Sequence, residues 1–217
     1  MTARRHEDYG NLIVFDHPLL GHKTTLLRDT ETSKKLFKEL VDEIAMLMAY
    51  EVTADLPVEP CEVETPLERT QGVRIAGHRT TLVPILRAGL GMVEGVMRAL
   101  PTMRVGHIGL QRQHETLEPI DYYFKIPPRP ESRYFIVTDP MLATGGSASA
   151  AITYLKAAGA SWIRLMCIVA APEGVRRLER DHPDVPVFCA VLDRELNEHG
   201  YILPGLGDAG DRLFGTG

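Results

Sequence analysis

An acidic residue followed by a run of small residues is the pattern in this sequence that most directly indicates a binding site. Asp139 follows the apolar run Tyr134–Thr138, and the small residues of 143–147 come shortly after it. Gly145 and Gly146 permit positive φ angles and a close approach of a ligand to the backbone. The amides of 143–147, at the start of a helix, can bind a phosphate dianion, while the Asp139 carboxylate accepts hydrogen bonds from sugar hydroxyls. A plain strand-to-helix turn with a glycine kink is the alternative interpretation.

Two arginines stand after other apolar runs. Arg87 follows the run Thr80–Leu86 and opens a glycine-rich turn, and Arg112 follows the run 104–110. A planar guanidinium can bind two phosphate oxygens at once. For either arginine taken alone, a solvated surface charge is the alternative.

The elements that must position these residues alternate between strands and helices. Predicted strands cover Thr80–Leu86, 104–110, Tyr134–Thr138, 163–170 and Val187–Leu192. Predicted helices cover the stretch from the glycine-rich turn to Leu100, residues 147–158 with Gly159 after the last turn, and a stretch that begins at Pro172. This alternation predicts an α/β fold with a doubly wound, mainly parallel sheet flanked by helices. Because such sheets bind ligands outside the carboxyl ends of their strands, we expect Arg87, Arg112 and Asp139 at one edge.

The remaining segments are less regular. Residues 32–50 carry an apolar stripe with a period of about 3.6 residues, which predicts a helix capped by Thr32 or Ser33. Residues 51–78 contain three prolines and predict turns with at most a short edge strand. Residues 113–131 contain four prolines and predict a mobile hairpin or lid over the site, with an ordinary surface loop as the alternative. We expect one domain, made of an N-terminal segment with a helix (1–78), a core sheet (79–192) and a tail (193–217).

The tail supports two opposite interpretations. It contains glycines at several positions after residue 200, and glycine-rich chain ends are usually disordered. It also carries large apolar side chains, which are unusual in a free tail: Tyr201, Ile202, Leu203, Leu206, Leu213 and Phe214. Composition alone does not choose between a disordered appendage and a packed segment.

Composition disfavours several classes of protein. The 24 basic and 29 acidic residues give a formal net charge of −5, whereas dedicated nucleic-acid binders usually have a basic surplus. Three widely separated cysteines without a CxxC pair are typical of a reducing compartment. There is no signal-peptide pattern, and no apolar run reaches the roughly 18 residues that a membrane span needs. We therefore expect a soluble, cytoplasmic protein with no membrane and no nucleic-acid partner.

Other polar side chains have a structural interpretation. The histidines His107, His114 and His199 lack the spacing of metal ligands. Asp193 and Glu195 come just after a predicted strand and indicate a solvated turn.

Four stretches of the chain resemble the type I phosphoribosyltransferases and, within them, the uracil phosphoribosyltransferase family. They are DPMLATGGS at 139–147, VPILRAGLGM at 83–92, ETLEPIDYYFKIP at 115–127 and NEHGYILPGLGDAGDRLFGT at 197–216. The likeness extends from about His17 to the C-terminus, and the last stretch is not shared with other phosphoribosyltransferases. Pro140 replaces the second acid of the wider superfamily, and QRQH at 111–114 departs from the pattern of the family itself.

The resemblance implies roles for individual residues. The implied catalytic residues are Arg87, Arg112, Asp139 and Asp208. Binding of phosphoribosyl diphosphate is implied for Arg87, Arg112, Asp208 and the loop residues Asp139, Pro140, Met141, Leu142, Ala143, Thr144, Gly145, Gly146 and Ser147. Uracil binding is implied for Tyr201, Ile202, Gly207, Asp208 and Ala209, which would make the tail a base-binding hood. The peptide between Leu86 and Arg87 is expected to be cis.

The implied reaction transfers the 5-phosphoribosyl group of 5-phospho-α-D-ribose 1-diphosphate, here termed the donor, to N1 of uracil. Its products are UMP and diphosphate. Mg²⁺ is the implied cofactor, carried by the donor near Asp139 and Asp208 without a dedicated metal site. The resemblance also implies a homo-oligomer, a dimer or larger, and a GTP effector. Two alternatives stay open: a transferase for another base such as hypoxanthine or orotate, and an RNA-binding regulator with the same fold.

Overall fold

The structure, a computed structural model, describes residues 3–75, 79–112 and 119–216, except for the side chains of residues 111, 112 and 119–121. The predictions for His114 and for the first part of the 113–131 lid therefore lie outside the described residues. The strands are β1 (Ala3–Arg5), β2 (Leu12–Phe15), β3 (Val58–Glu64), β4 (Arg69–Ile75), β5 (Thr80–Leu86), β6 (Arg104–Val105), β7 (His107–Arg112), β8 (Pro119–Lys125), β9 (Tyr134–Thr138), β10 (Met141–Leu142), β11 (Trp162–Ala170), β12 (Val187–Leu192), β13 (Glu195–Leu196) and β14 (Ile202–Leu203). The helices are α1 (Pro18–Arg28), α2 (Lys34–Val52), α3 (Val93–Ala99), α4 (Gly146–Ala157), α5 (Pro172–Asp181) and α6 (Ala209–Phe214), with 3₁₀ turns at Ala88–Met92 and Pro130–Ser132.

One large sheet organises the chain. Its strands lie in the order β1-β2-β12-β11-β9-β5-β7-β8, with β10 beside β11 and β6 beside β5. Neighbours from β2 to β7 are parallel, whereas β1 and β8 pair antiparallel at the two edges. The inner strands β9 and β11 are buried along almost their whole length, as parallel strands covered on both faces must be. The predicted doubly wound, mainly parallel α/β sheet is confirmed.

Helices cover both faces of this sheet, and alternate residues of one strand enter different cores. On β9, Phe135 and Val137 pack with residues of α4 and α5, whereas Ile136 packs with residues of α1, α2 and α6. The alternation is the two-residue period of a strand. Because β5, β9 and β12 are parallel, the loops that follow them lie at the same edge of the sheet.

The clearest predicted helix agrees with the structure. Ser33 is the N-cap of α2, and its Oγ accepts a hydrogen bond from Leu36 N at 3.3 Å. The apolar stripe is buried, with Phe37 and Ile44 fully inaccessible to solvent. In the tail, Ala209 and Leu213 of α6 are also buried in this core, so the structure supports a packed tail and not a disordered appendage.

The region 51–78 departs from its prediction. Strands β3 and β4 each have seven residues and form an antiparallel hairpin, with Val58 opposite Ile75 and Glu64 opposite Arg69. Most of its side chains are exposed on both faces. A strand that buries neither face has no alternating apolar pattern, so the prediction of turns was wrong. Separately, the predicted strand 104–110 is divided at Gly106, whose N–H donates to Leu82 O at 2.9 Å.

In the described part of the chain, no helix has the length and apolar character required to cross a membrane.

Candidate active site

The 139–147 loop begins where β9 ends and is held mainly by main-chain contacts. Asp139 N donates to Met166 O on β11 at 3.2 Å, and Asp139 Oδ1 accepts from Met141 N at 3.4 Å. The short strand β10 within the loop pairs with the end of β11. Gly145 then adopts a φ of +75° and caps α4, which few residues other than glycine do without cost.

A close backbone contact with α5 supports the other side of this loop. A Cβ on Gly174 would lie 2.4 Å from Ala143 O, and a Cβ on Gly145 would lie 2.9 Å from Gly174 O. Neither contact leaves space for a side chain. The first turn of α5 thus fixes the curve of the loop that the sequence predicts to bind phosphate.

The Asp139 carboxyl is in an unusual electrostatic environment. Its pKa is raised to about 7, mainly by burial; the hydrogen bond from the Met141 N–H opposes the shift, and the negative charge of Asp208 makes a smaller contribution to it. The two carboxyl groups, which are far apart in the sequence, are therefore close enough to interact. An acid with this pKa exchanges its proton near neutral pH.

The turn after β5 brings Arg87 to the same edge of the sheet. The Leu86–Arg87 peptide is cis, as expected from the resemblance. Gly89 allows the turn to touch the end of β9, since a Cβ there would lie 2.3 Å from Thr138 O. The exposed Arg87 guanidinium points toward α6, with its Nη2 3.9 Å from Asp211 Oδ1. Arg112 is the last residue of β7, and its side chain lies outside the described residues.

The tail folds over these loops as a hairpin, a turn and a short helix. Strands β13 and β14 pair antiparallel, and the turn between them is closed by Asn197, whose Oδ1 accepts from Tyr201 N at 2.9 Å. A Cβ on Gly200 would lie 3.8 Å from Thr144 Cγ2, so this turn approaches the 139–147 loop. After a cis Leu203–Pro204 peptide, Asp208 caps α6 by accepting from Asp211 N at 2.9 Å.

A cavity of about 300 Å³ lies where the tail meets the 139–147 loop. It is lined by Met141, Ala143, His199, Gly200, Tyr201, Ile202, Gly207 and Asp208. The cavity thus brings Met141 and Ala143, which the resemblance assigns to the donor, together with residues that it assigns to uracil. Arg87, Asp139 and residues 144–147 do not line it. Ala209 does not line the cavity; it is buried as the first residue of α6, next to Asp208.

Sequence reasoning missed the side chains that hold the tail. Asp193 was expected in a solvated turn, but it is buried and forms a two-point ion pair with Arg28, with N–O distances of 2.6 and 2.8 Å. Arg212 of α6 donates to Leu27 O and Asp29 O. The sequence contains only a weak indication of these contacts, namely that Asp193 and Arg212 are charged residues in or next to an otherwise apolar, glycine-rich segment. His199, interpreted as structural, lines the cavity.

Among the residues that the structure describes, no three His, Cys, Asp or Glu side chains group as metal ligands. The pair Asp139 and Asp208 is nevertheless suited to a cation carried by a substrate. The repulsion from Asp208, which is a smaller cause of the raised pKa of Asp139 than burial is, would be reduced by a positive charge placed near both.

Comparison with known proteins identifies the family. The model of the family described as uracil phosphoribosyltransferase matches residues 14–216. The chain belongs to the uracil phosphoribosyltransferase family. A uracil phosphoribosyltransferase of Bacillus cytotoxicus is 59% identical over 207 residues, which cover 95% of this chain and 99% of that protein. One from Bacillus thuringiensis is equally similar, with the same identity and coverage.

Solved structures support the fold of this family. A protein from Aquifex aeolicus superposes with a TM-score of 0.90 and 35% identity, covering 94% of this chain and 98% of that one. The adenine phosphoribosyltransferase of Trypanosoma brucei has a TM-score of 0.59 and 14% identity, covering 96% of this chain and 92% of that one. The second likeness concerns the fold alone.

Proposed function

We propose that this chain transfers the 5-phosphoribosyl group from the donor to N1 of uracil, releasing diphosphate and forming UMP. Membership of the uracil phosphoribosyltransferase family supports the reaction. The observation that carries the assignment to this site is the cavity in which the tail faces the 139–147 loop. One wall would bind a sugar phosphate, and the other would present backbone groups to a planar base.

The donor would bind along the edge of the sheet. Backbone amides and hydroxyls of 143–147 are suited to the 5-phosphate, and Asp139 to the ribose hydroxyls. Arg87 would bind the diphosphate, because its guanidinium is largely exposed and lies no closer than 3.9 Å to Asp211. Arg112 belongs to the same proposal on its position at the end of β7.

Uracil would be recognised by main-chain groups of the tail. Its edge presents an acceptor, a donor and an acceptor at O2, N3–H and O4. The Ile202 carbonyl between the amides of Gly207 and Ala209 would complement that order, with Tyr201 beside the base. Cytosine presents a different order and would leave buried polar groups unpaired. Sites of this kind can discriminate against such a substrate by a factor of roughly 10⁴–10⁵ in kcat/KM.

The chemistry requires positioning and charge stabilisation more than covalent catalysis. As the bond from C1 to the diphosphate breaks, positive charge develops on the ribose and negative charge on the leaving group. The bond from uracil N1 to C1 forms on the opposite face, with inversion. Arg87 and the loop amides would stabilise the departing diphosphate, and Asp139 and Asp208 would stabilise the cationic ribose. Uracil N1–H is itself acidic, so its proton needs no strong base.

Mg²⁺ belongs to the proposal as a cofactor that enters with the donor. When bound, it would neutralise part of the diphosphate charge. Asp139 and Asp208 would hold it, directly or through water, because these two carboxyl groups already share one region of the site.

A panel of bases tests the proposal. With the donor and Mg²⁺, uracil and 5-fluorouracil should release diphosphate and form the nucleotides, because both present the same hydrogen-bonding edge. Cytosine, thymine and hypoxanthine should be poor substrates. Turnover of hypoxanthine at the uracil rate would refute the assignment. Steeply salt-dependent RNA binding without any transfer would favour the regulator instead.

Three further properties are part of the same proposal. A homo-oligomer is supported by apolar side chains exposed on the β3–β4 hairpin, such as Leu67 and Val73, and sedimentation analysis would measure its size. A GTP effector rests on the family resemblance and would be measured as a change in the rate of UMP formation. A cytoplasmic location is supported by free cysteines, Cys167 and Cys189, on neighbouring strands.

A further inference from the structure

The turn that follows β14 is held by an ion pair whose two members come from opposite ends of the chain. Arg28, the last residue of α1, donates to Asp193 Oδ2 through Nη1 at 2.8 Å and to Asp193 Oδ1 through Nη2 at 2.6 Å. Asp193 is almost fully buried just after β12, and Arg28 is mostly buried. A buried, two-point arginine–carboxylate pair fixes both direction and distance.

This pair holds both polar groups of one peptide residue. Gly205 N donates to Asp193 Oδ2 at 2.9 Å, and Gly205 O accepts from Arg28 Nη1 at 2.7 Å. Gly205 has a φ of +64°, and a Cβ on it would lie only 2.1 Å from Ile202 O. Gly205, which the ion pair binds through both of its main-chain polar groups, therefore contacts the Ile202 carbonyl that is proposed to accept a hydrogen bond from uracil N3–H.

Arg212 adds a second connection between the same two regions. Its Nη1 donates to Leu206 O at 2.9 Å and to Leu27 O at 2.8 Å, and its Nη2 donates to Asp29 O. The guanidinium also stacks 4.3 Å from the Phe37 ring. Consecutive tail residues 205 and 206 are thus tied to the last turn of α1 at 27–29.

We propose that Arg28, Asp193 and Arg212 form a clamp that positions the base-binding main chain of 202–209 against α1. The clamp rests on the proposed function, since it concerns the uracil half of that site. None of its three side chains lines the cavity, so they are positioning residues and not substrate ligands. A clamp on Gly205 and Leu206 should set how far the Ile202 carbonyl stands from the Gly207 amide, and with it the preference for uracil.

A role in general stability makes a different prediction from a role in positioning. If the ion pair only stabilised the fold, its loss would lower the melting temperature and leave both KM values unchanged. If it positions the tail, its loss should raise the KM for uracil and leave the KM for the donor unchanged. The 139–147 loop, which is proposed to bind the donor, is held by β11 and α5 instead.

The test measures steady-state UMP formation by Arg28→Ala, Arg28→Lys and the matched control Arg194→Ala. Arg194 is next to Asp193 in the chain, but it is exposed and pairs locally with Glu195. For Arg28→Ala we expect uracil KM to rise on the order of 10- to 100-fold, because the buried Asp193 charge loses its partner. Donor KM should change by less than about twofold, and the preference for uracil over cytosine should fall. Arg28→Lys should recover part of the loss, and Arg194→Ala should resemble the wild type.

Amide hydrogen exchange of the substrate-free protein tests the clamp without turnover. The amide of Gly205 should exchange faster in Arg28→Lys than in Arg194→Ala, which also covers the case in which Arg28→Ala does not fold. Three outcomes would each overturn the clamp. They are equal increases in both KM values, unchanged KM values in a folded Arg28→Ala, and unchanged exchange at Gly205. Failure of the wild type to form UMP would instead contradict the proposed function, and exchange at Gly205 would still decide the clamp.

Discussion

The 139–147 loop and the tail line the same cavity, but different kinds of contact hold them. The loop connects β9 to α4 directly and is fixed by main-chain contacts with β11 and α5. The tail is fixed by apolar packing of α6 and by polar contacts with the other end of the chain: Arg28 donates to Gly205 O across 177 residues, and Arg212 of the tail donates to Leu27 O and Asp29 O. A loop between adjacent elements needs little beyond its own sequence to take shape. A glycine-rich tail takes shape only when distant residues bind its peptide groups.

The difference separates two functions that a transferase must combine. The part proposed to bind the donor is built into the sheet, whereas the part proposed to select the base is attached by a few specific side chains. Variants of the tail should therefore act mainly on uracil, and variants of the loop mainly on the donor.

Deletion of all residues after Pro204 should abolish UMP formation. It removes the amides of Gly207 and Ala209, together with three buried apolar side chains of the tail, whose loss should cost several kcal/mol, roughly 1 or more each. Donor binding, measured by calorimetry, should survive in part because the 139–147 loop has its own supports. It should be weakened, however, since Leu213 packs on the 3₁₀ turn Ala88–Met92 that follows Arg87, with its Cδ1 2.7 Å from where a Cβ of Gly91 would lie. A near-normal rate of UMP formation would contradict the base-binding role of the tail.

Gly174→Ala should damage the donor half of the site. Its Cβ would lie 2.4 Å from Ala143 O, so the loop must move, and we expect donor KM to rise about 10-fold or more, with a smaller change for uracil. Gly21→Ala in α1 is the matched control, because nothing lies within 4 Å of the added Cβ. That control should keep its activity and gain about 0.5–1 kcal/mol of stability. Equal kinetic effects of the two substitutions would refute the prediction.

Arg87→Ala should raise donor KM more than uracil KM, by about 10-fold, because an exposed guanidinium contributes one charge-assisted contact to the diphosphate. Initial-rate measurements with each substrate varied in turn provide the comparison. Arg69→Ala on the β3–β4 hairpin controls for the loss of one surface charge. If donor and uracil KM changed equally, Arg87 would not be a diphosphate ligand.

The smallest effect concerns stability and its dependence on pH. Burial raises the pKa of Asp139 to about 7 in the folded chain, so the folded state binds more protons than the unfolded state between the ordinary aspartate pKa and about 7. The contribution of Asp139 to stability therefore decreases as pH rises through that window. Asp139→Asn removes the ionisation, and its melting temperature relative to the wild type should increase from about pH 4.5 to about pH 7.5. A difference that is constant with pH would mean that the carboxyl is not protonated as expected. UMP formation by this variant should be reduced.

Much of the fold was predictable because each core element carries its own local pattern. The strands Thr80–Leu86, Tyr134–Thr138 and Val187–Leu192 agree with the structure to the residue, and Ser33 caps α2 as predicted. Local sequence patterns did not predict strands whose side chains are exposed, because such strands need no alternation of apolar and polar residues. The β3–β4 hairpin is exposed on both faces, so nothing in its apolar spacing distinguishes it from turns.

The core strands, the 139–147 loop and the family were predictable from the amino-acid sequence, because their signals lie in short, contiguous stretches. The order of the tail, and the residues that produce it, became visible only in the folded chain. Asp193 looked like part of a solvated turn, and its basic neighbour in the chain, Arg194, is exposed and pairs with Glu195 instead. Arg28 supplies the partner charge from 165 residues away. A buried ion pair depends on distance in space and on exclusion of water, and neither quantity can be inferred from the residues adjacent in the sequence.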